Sequence, residues 1–212
     1  MERDELVAAI ARERSAVADL LETLSPEQLA TPSRCAGWSV HAVGAHLTMP
    51  WSVSVPAMAL QVLRHRGSVA RAFDAATREL ARRPVEEIVS SLRAHANDAT
   101  HAPRMPAAPL IDTIVHGDDL RQPLGIVHDV PGASIRRALD QLVVFRDLGA
   151  FLPRSRVKGL RLVAPDLDWS WGDGAEVSGP ARAVLSGVLG RRDAVAELGG
   201  EGATLLASRL GS

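Results

Sequence analysis

The sequence contains a single cysteine, Cys35, among its 212 residues. One cysteine excludes an internal disulfide, and sparse cysteine is typical of proteins in a reducing compartment. No apolar run approaches the roughly 20 residues that a membrane-spanning helix needs. The first residues, MERDELVAAIARERS, are charged and lack the apolar core of a signal peptide. We therefore expect a cytoplasmic protein without a membrane partner.

An excess of charge of either sign is also missing. The formal net charge is −1, with 23% charged and 46% hydrophobic residues. A near-neutral chain without a basic stripe is not expected to bind nucleic acid. Lys158 is the one lysine among many arginines, which indicates a GC-rich bacterial genome. The length fits one sizeable domain with a small appendage.

Apolar residues recur every three or four positions over most of the chain, which predicts helices. The predicted helices cover 3–24, a short turn after Ser25, a second long helix from Ser39 interrupted at Pro50 and Pro56, and then 68–82, 84–97, 107–122 and 133–151.

The pattern changes after Pro153. Residues 157–179 alternate and contain a Gly-Asp-Gly turn, which predicts a β-hairpin or small sheet, and helices are predicted over 179–193 and 201–210. The sequence thus predicts a mainly α fold. It consists of a helical bundle over residues 1–153 and a small α+β domain over residues 154–212.

Acids and a histidine interrupt the apolar stretch LIDTIVHGDDLRQPLG, residues 110–125. Asp112, His116 and Asp119 stand at i, i+4 and i+7, so they share a helix face that the pattern turns inward. Buried charges are costly unless they are paired or bound to a metal. His46, near the inner edge of the second helix, completes the set, whereas Asp118 is expected to point to solvent.

Two interpretations fit these residues at this stage. One is a polar network between helices. The other is a metal site of His46, Asp112 and His116, because bundles build metal sites from inward side chains on facing helices. Two imidazoles and a carboxylate suit Zn²⁺ best, and also Ni²⁺, Mn²⁺ or Fe²⁺. Three protein ligands leave a position open for water or substrate.

Two segments, CAGWSVHAVGAHL (35–47) and IDTIVHGDDLRQPLG (111–125), resemble the DinB/YfiT-like superfamily. Within it they are most similar to the mycothiol-dependent maleylpyruvate isomerase family. The segment VSGPARAVLSGVLGRRDAVAELGGEGATLLASRL (177–210) resembles the small sterol-carrier-like C-terminal domain of many members. The resemblance implies a DinB-like four-helix bundle with a divalent metal held by His46, Asp112 and His116.

Asp112 departs from the family pattern, in which this acid is usually Glu. Asp is one methylene shorter, so its helix must approach the metal more closely or the acid must act through water. Asp119 matches the family's Asp in His-Gly-x-Asp. We interpret it as a group that orients His116 or an arginine such as Arg121.

The resemblance also implies low-molecular-weight thiol chemistry, with mycothiol, a thiol of GC-rich actinobacteria, as cofactor or cosubstrate. A metal-bound thiol loses its proton, and thiolate is the reactive form. The thiolate can isomerise a double bond or displace a leaving group. The expected partner is therefore a small electrophile, and the expected enzyme is an isomerase or an S-transferase. The alternatives are a metal-dependent hydrolase on the same scaffold and a non-catalytic bundle that binds a metal or small molecule. We expect a monomer or homodimer.

Cys35 and Trp38 precede the second helix and allow functional or structural interpretations. A helix N-terminus can lower the pKa of a thiol, but no histidine partner is evident along the sequence. We therefore interpret Cys35 as structural, and Trp38 as a packing anchor rather than a substrate platform.

Overall fold

The computed structural model describes residues 1–98, 105–144 and 152–210. The chain divides into two compact units, one of Glu2–Pro103 with Asp112–Asp129, the other of Met1, Arg104–Ile111 and Val130–Ser212. Helices dominate, with one small sheet, as the fold class predicted. None of the helices in the described ranges combines the length and apolar character that crossing a membrane requires.

Helices form the unit that contains the sequence-predicted site residues. They are α1 (Arg3–Thr23), α2 (Pro26–Ala30), α3 (Val40–His46), α4 (Met49–Ser52), α5 (Val55–Arg64), α6 (Val69–Leu80), α7 (Val85–Ala94) and α8 (Ala108–Arg121), the last of which belongs to this unit from Asp112 onward.

Local sequence signals set where these helices begin. Ser25 and Gln28 form a capping box at the start of α2, and the Ser39 hydroxyl accepts the amide of Ala42 to start α3. Pro50 and Pro56 stand in the first turns of α4 and α5. Because proline lacks an amide hydrogen, it splits the apolar stretch after α3 into separate helices.

The core of this unit forms where α1 packs along α7 and where α3 meets α1, α6 and α7. Buried aliphatic side chains from all of these helices join one cluster, which includes Val17, Leu21, Val43, Ile88 and Leu92. The cluster also takes in Leu120 of α8, so the helix that carries the predicted acids is anchored to the same core.

The second unit combines helices with a three-stranded sheet. Its elements are α9 (Gly132–Val144), α10 (Arg154–Val157), β1 (Leu160–Ala164), β2 (Trp169–Trp171), β3 (Ala175–Ser178), α11 (Ala181–Val188), α12 (Arg192–Ala196) and α13 (Glu201–Arg209).

The strands form a small sheet, which is one of the two alternatives that the alternation pattern predicted. Its strand order is β2-β1-β3, with β1 antiparallel to β2 and parallel to β3. The chain from β2 to β3 passes close over the start of β1, where side-chain atoms at Gly172 and Gly174 would collide with the carbonyls of Leu160 and Gly159. The Gly-Asp-Gly segment is therefore a crossing over β1 as well as a turn.

Some predicted boundaries differ from the observed ones. The helix predicted over 179–193 ends at Val188, because Gly190 follows with a φ of +103°. The helix predicted over 133–151 is observed as Gly132–Val144, and residues 145–151 lie outside the described part. That helix, α9, falls in the unit that contains the sheet. The domain boundary near residue 153 stays a prediction.

Candidate metal centre

His46 is the last residue of α3 and its side chain is buried, with 9% of its surface exposed. Its Nδ1 atom lies 3.0 Å from the hydroxyl of Thr77, a fully buried residue of α6. Its Nε2 atom lies 4.0 Å from Oδ1 of Asp112. Thr77 therefore occupies one ring nitrogen and leaves the other turned towards the carboxylate.

Gly44 brings α3 close to α1 at this point. A Cβ atom on Gly44 would stand 2.6 Å from Cδ1 of Leu21. A larger residue at position 44 would require the buried Leu21 side chain to shift, and His46 follows two residues later on α3.

His116 lies one helical turn after Asp112 on α8, and its Nε2 atom is 3.6 Å from Oδ1 of Asp112. The rings of His46 and His116 meet edge to face, with centroids 4.8 Å apart. One ligand atom from each of His46, Asp112 and His116 lies within 4.8 Å of the other two. The structure thus brings together the three residues that the sequence predicted as metal ligands.

The other ring nitrogen of His116 meets a second set of groups. Its Nδ1 atom is 2.9 Å from Oδ2 of Asp119, and the Cys35 sulfur is 3.4 Å from the same nitrogen. Asp119 is completely buried. Asp119 thus contacts His116, while its interpretation as an orienting group for His116 or for an arginine such as Arg121 stays a prediction.

The two histidines have opposite electrostatic settings. Burial lowers the pKa of His46 to about 4, and the nearby charge of His116 adds to that effect. Burial also disfavours charge on His116. Hydrogen bonds to Asp119 and Cys35, with the negative charge of Asp112, nevertheless raise its pKa to about 10. His46 is therefore neutral at pH 7, whereas His116 is protonated.

Two of the three separations between the donor atoms approach those around a divalent metal ion. Ligands at 2.0–2.2 Å in tetrahedral geometry stand about 3.3–3.6 Å apart. The pair between His116 and Asp112 already has this separation, and the pair between His46 and Asp112 needs to close by only a few tenths of an ångström. Two imidazoles and one carboxylate suit zinc and its neighbours in the first transition row.

Aromatic rings adjoin the same histidine. The Trp38 ring lies 4.9 Å from that of His46, and Phe73 of α6 lies 6.2 Å from it. The Trp38 indole nitrogen donates to Asp74 at 2.8 Å. Trp38 is thus held between α6 and His46, in keeping with its interpretation as a packing anchor.

Two expectations from the sequence were wrong, namely that Cys35 lacks a histidine partner and that Asp118 is solvated. Cys35 does have a histidine neighbour, since its sulfur contacts His116 across 81 residues of chain. Asp118 is buried, with 6% of its surface exposed, rather than solvated. Thr77 was missed altogether, because nothing in the pattern of α6 distinguishes a threonine that contacts His46 from any other buried one.

Comparison with known proteins identifies the family of the chain. The profile of the mycothiol maleylpyruvate isomerase N-terminal domain matches residues 10–121, which is more than half of the chain. The chain belongs to this family. The match includes Cys35, His46, Asp112, His116 and Asp119.

Two solved structures of the family's namesake share the fold. The crystal structure of the mycothiol-dependent maleylpyruvate isomerase has a TM-score of 0.53 and 15% identity, and covers 90% of each chain. A mutant of that isomerase, in which one histidine is replaced by alanine, has a TM-score of 0.55 and 15% identity, and covers 95% of this chain and 93% of the other. A search of curated proteins found no match.

Proposed function

We propose that this protein is a divalent-metal-dependent enzyme that uses a low-molecular-weight thiol, with mycothiol as the first candidate. The enzyme uses the thiol to isomerise a small electrophile or transfers the thiol to it. The observation that carries the proposal is the convergence of His46, Asp112 and His116 within 4.8 Å. This set lies inside the segment that matches the family profile. Zinc is the first candidate metal for these donors.

Each of the three residues has a defined part in this proposal. His46 offers Nε2 because Thr77 holds its Nδ1, and His116 offers Nε2 because Asp119 holds its Nδ1. Asp112 is the charged donor between them. With two neutral imidazoles and one carboxylate, the ligands cancel only one of the two charges of a divalent ion, which leaves a site that attracts an anion.

His46, Asp112 and His116 would hold a divalent ion, which would supply a positive charge that favours the thiolate form of a bound thiol. A low-molecular-weight thiol supplies the nucleophile that adds to an activated double bond and is eliminated after rotation, or that displaces a leaving group. The protein's part is to hold the thiol and the electrophile together at the position that the three ligands leave open. We place this reaction in a reducing cytoplasm, where free thiols persist.

The test begins with metal analysis of protein purified without chelator. We expect about one divalent ion per chain, lost in His46→Ala and His116→Ala and kept in the control His65→Ala, whose histidine lies outside the group. The loaded protein should turn over maleylpyruvate, or a related unsaturated electrophile, only when mycothiol is supplied. Absence of stoichiometric metal, together with no thermal stabilisation by added Zn²⁺, would contradict the metal site. Turnover without thiol would favour a hydrolase instead.

A further inference from the structure

The carboxylate of Asp119 contacts both a residue of α8 and residues of the loop that precedes α3. Its Oδ2 atom accepts hydrogen bonds from His116 Nδ1 at 2.9 Å and from the Cys35 thiol at 3.1 Å. Its Oδ1 atom lies 4.0 Å from Nε of Arg34. Two donors thus share the oxygen that orients His116.

Backbone hydrogen bonds fix the loop that carries the Cys35 thiol. The Cys35 amide donates to the Ser33 hydroxyl at 3.1 Å, and the Cys35 carbonyl accepts the Trp38 amide at 3.0 Å. The Arg34 amide donates to the backbone carbonyl of Asp119 at 3.1 Å. These backbone contacts fix the loop against α8, and the contacts of the sulfur with Asp119 and His116 select its side-chain rotamer.

We propose that Cys35 is a positioning residue for His116, and that its thiol holds the Asp119 carboxylate so that the imidazole presents Nε2 to Asp112 and His46. This inference rests on the proposed metal site. Cys35 acts through two intermediaries, from thiol to carboxylate and from carboxylate to imidazole. Groups of this kind behind a metal ligand fix the ring orientation, and their loss typically weakens metal binding about 10- to 100-fold.

The same atoms also form a second group with ligand chemistry, because Cys35, His116 and Asp119 lie within 4.8 Å of one another. Cys35 and Asp119 lie at Nδ1 of His116, whereas Asp112 lies at its Nε2, so Cys35 is not placed to bind the same ion as the predicted ligands. The Cys35 sulfur is 3.1 Å from Oδ2 of Asp119. That distance suits a hydrogen bond, so the geometry favours the positioning role.

The test uses Co²⁺ as the probe, with the full chain as wild type, Cys35→Ser and Cys35→Ala. Serine keeps a donor at the position, and alanine removes it. We expect Co²⁺ to bind Cys35→Ala about 10-fold more weakly than wild type with a changed visible spectrum, and Cys35→Ser to recover most of the affinity and the spectrum. Cys35→Val, which fills the space without a donor, replaces alanine if that variant does not fold.

Three outcomes would overturn the inference, and they are distinguishable. Equal Co²⁺ affinity and equal spectra in all variants would show that the thiol is only part of the packing. A sulfur-to-cobalt charge-transfer band in wild type that Cys35→Ala abolishes would show that Cys35 is itself a ligand. Failure of the wild type to bind Co²⁺ would overturn the proposed function, and the inference with it.

Discussion

The Nδ1 atom of His116 lies 2.9 Å from Oδ2 of Asp119, three residues later on α8. Because Nδ1 is committed to this buried carboxylate, Nε2 is the nitrogen that faces Asp112. With its pKa raised to about 10, His116 holds protons on both nitrogens in the metal-free protein at pH 7. A metal at Nε2 must therefore replace a proton.

Metal binding at pH 7 should release about one proton from His116. The pKa of His116 is about 10, and a metal ligand must be deprotonated at the coordinating atom. The apparent affinity should accordingly rise about tenfold for each pH unit between 7 and 9. Calorimetric titration with Zn²⁺ in two buffers of different ionisation enthalpy measures the proton release directly.

A matched variant separates this effect from other ionisations. Asp119→Asn removes the charge that stabilises protonated His116, so it should release fewer protons at pH 7. Zero proton release in the wild type would mean that His116 is already neutral or does not bind the metal.

The metal-free protein should lose stability as the pH falls from 6.5 to 4. Burial lowers the pKa of His46 from 6.5 to about 4, so in this window the unfolded chain takes up a proton that the native protein does not. The expected loss is about 3 kcal/mol at most. His116 adds nothing here, because its raised pKa makes it protonated in both states below 6.5. Its contribution is lost only as the pH rises from there towards about 10.

Urea unfolding in the presence of a chelator, at several pH values, measures this loss. His46→Asn, which cannot titrate, is the matched control and should show a shallower pH dependence between 6.5 and 4. A wild-type curve as flat as that of His46→Asn would contradict the lowered pKa.

How much of this site the sequence could predict depends on the kind of contact. Spacing on one helix identified Asp112 and His116 as neighbours, because i and i+4 share a face. Adding His46 required only that an inward histidine on another helix face them. Cys35 and Thr77 could not be found in this way, because each meets its histidine through chain separations of 81 and 31 residues that only the packed fold defines.

For the fold and for Asp118 as well, local contacts could be predicted from the sequence and long-range contacts could not. Helix starts at Ser25 and Ser39 follow from local capping chemistry and agree with the structure. The parallel pairing of β1 and β3 is a long-range choice that alternation does not encode. Asp118 is buried although the spacing of apolar residues placed it on the solvent side of its helix. A helix packed on several sides also buries residues outside its most apolar stripe.

Asp112 should prove long enough to act as a ligand. Its Oδ1 atom is 3.6 Å from His116 Nε2 and 4.0 Å from His46 Nε2, close to the spacing of ligands around one ion. Asp112→Asn, which removes the charge but keeps the shape, should weaken Zn²⁺ binding at least about tenfold. Asp112→Glu, the residue usual in the family, should keep stoichiometric metal. Competition with a chromophoric chelator gives the affinities.

The exposed Asp129 supplies the matched control, since Asp129→Asn changes the net charge by the same amount outside the group. If Asp112→Asn bound Zn²⁺ as tightly as Asp129→Asn, the carboxylate would not be a direct ligand.

Because Gly44 lies close to Leu21, the effect of Gly44→Ala on stability should depend on whether residue 21 is leucine or alanine. A Cβ on Gly44 would stand 2.6 Å from Cδ1 of Leu21, a buried side chain of the core. In the wild type, Gly44→Ala should therefore destabilise the protein by about 1–3 kcal/mol through overpacking. In a Leu21→Ala background the clash is gone, and the same substitution should stabilise α3 by about 0.5–1 kcal/mol, since alanine favours helix over glycine.

A double-mutant cycle tests this prediction, with urea unfolding of the wild type, both single variants and the double variant. Leu21→Ala alone should cost about 2–5 kcal/mol, as is usual for a buried leucine, and the effect of Gly44→Ala should change sign between the two backgrounds. Because His46 follows Gly44 by two residues, the single variant Gly44→Ala should also bind Zn²⁺ more weakly, and the double variant should recover part of that affinity. An equal effect of Gly44→Ala in both backgrounds would show that α1 does not constrain the position of α3, and hence that it does not set the place of His46.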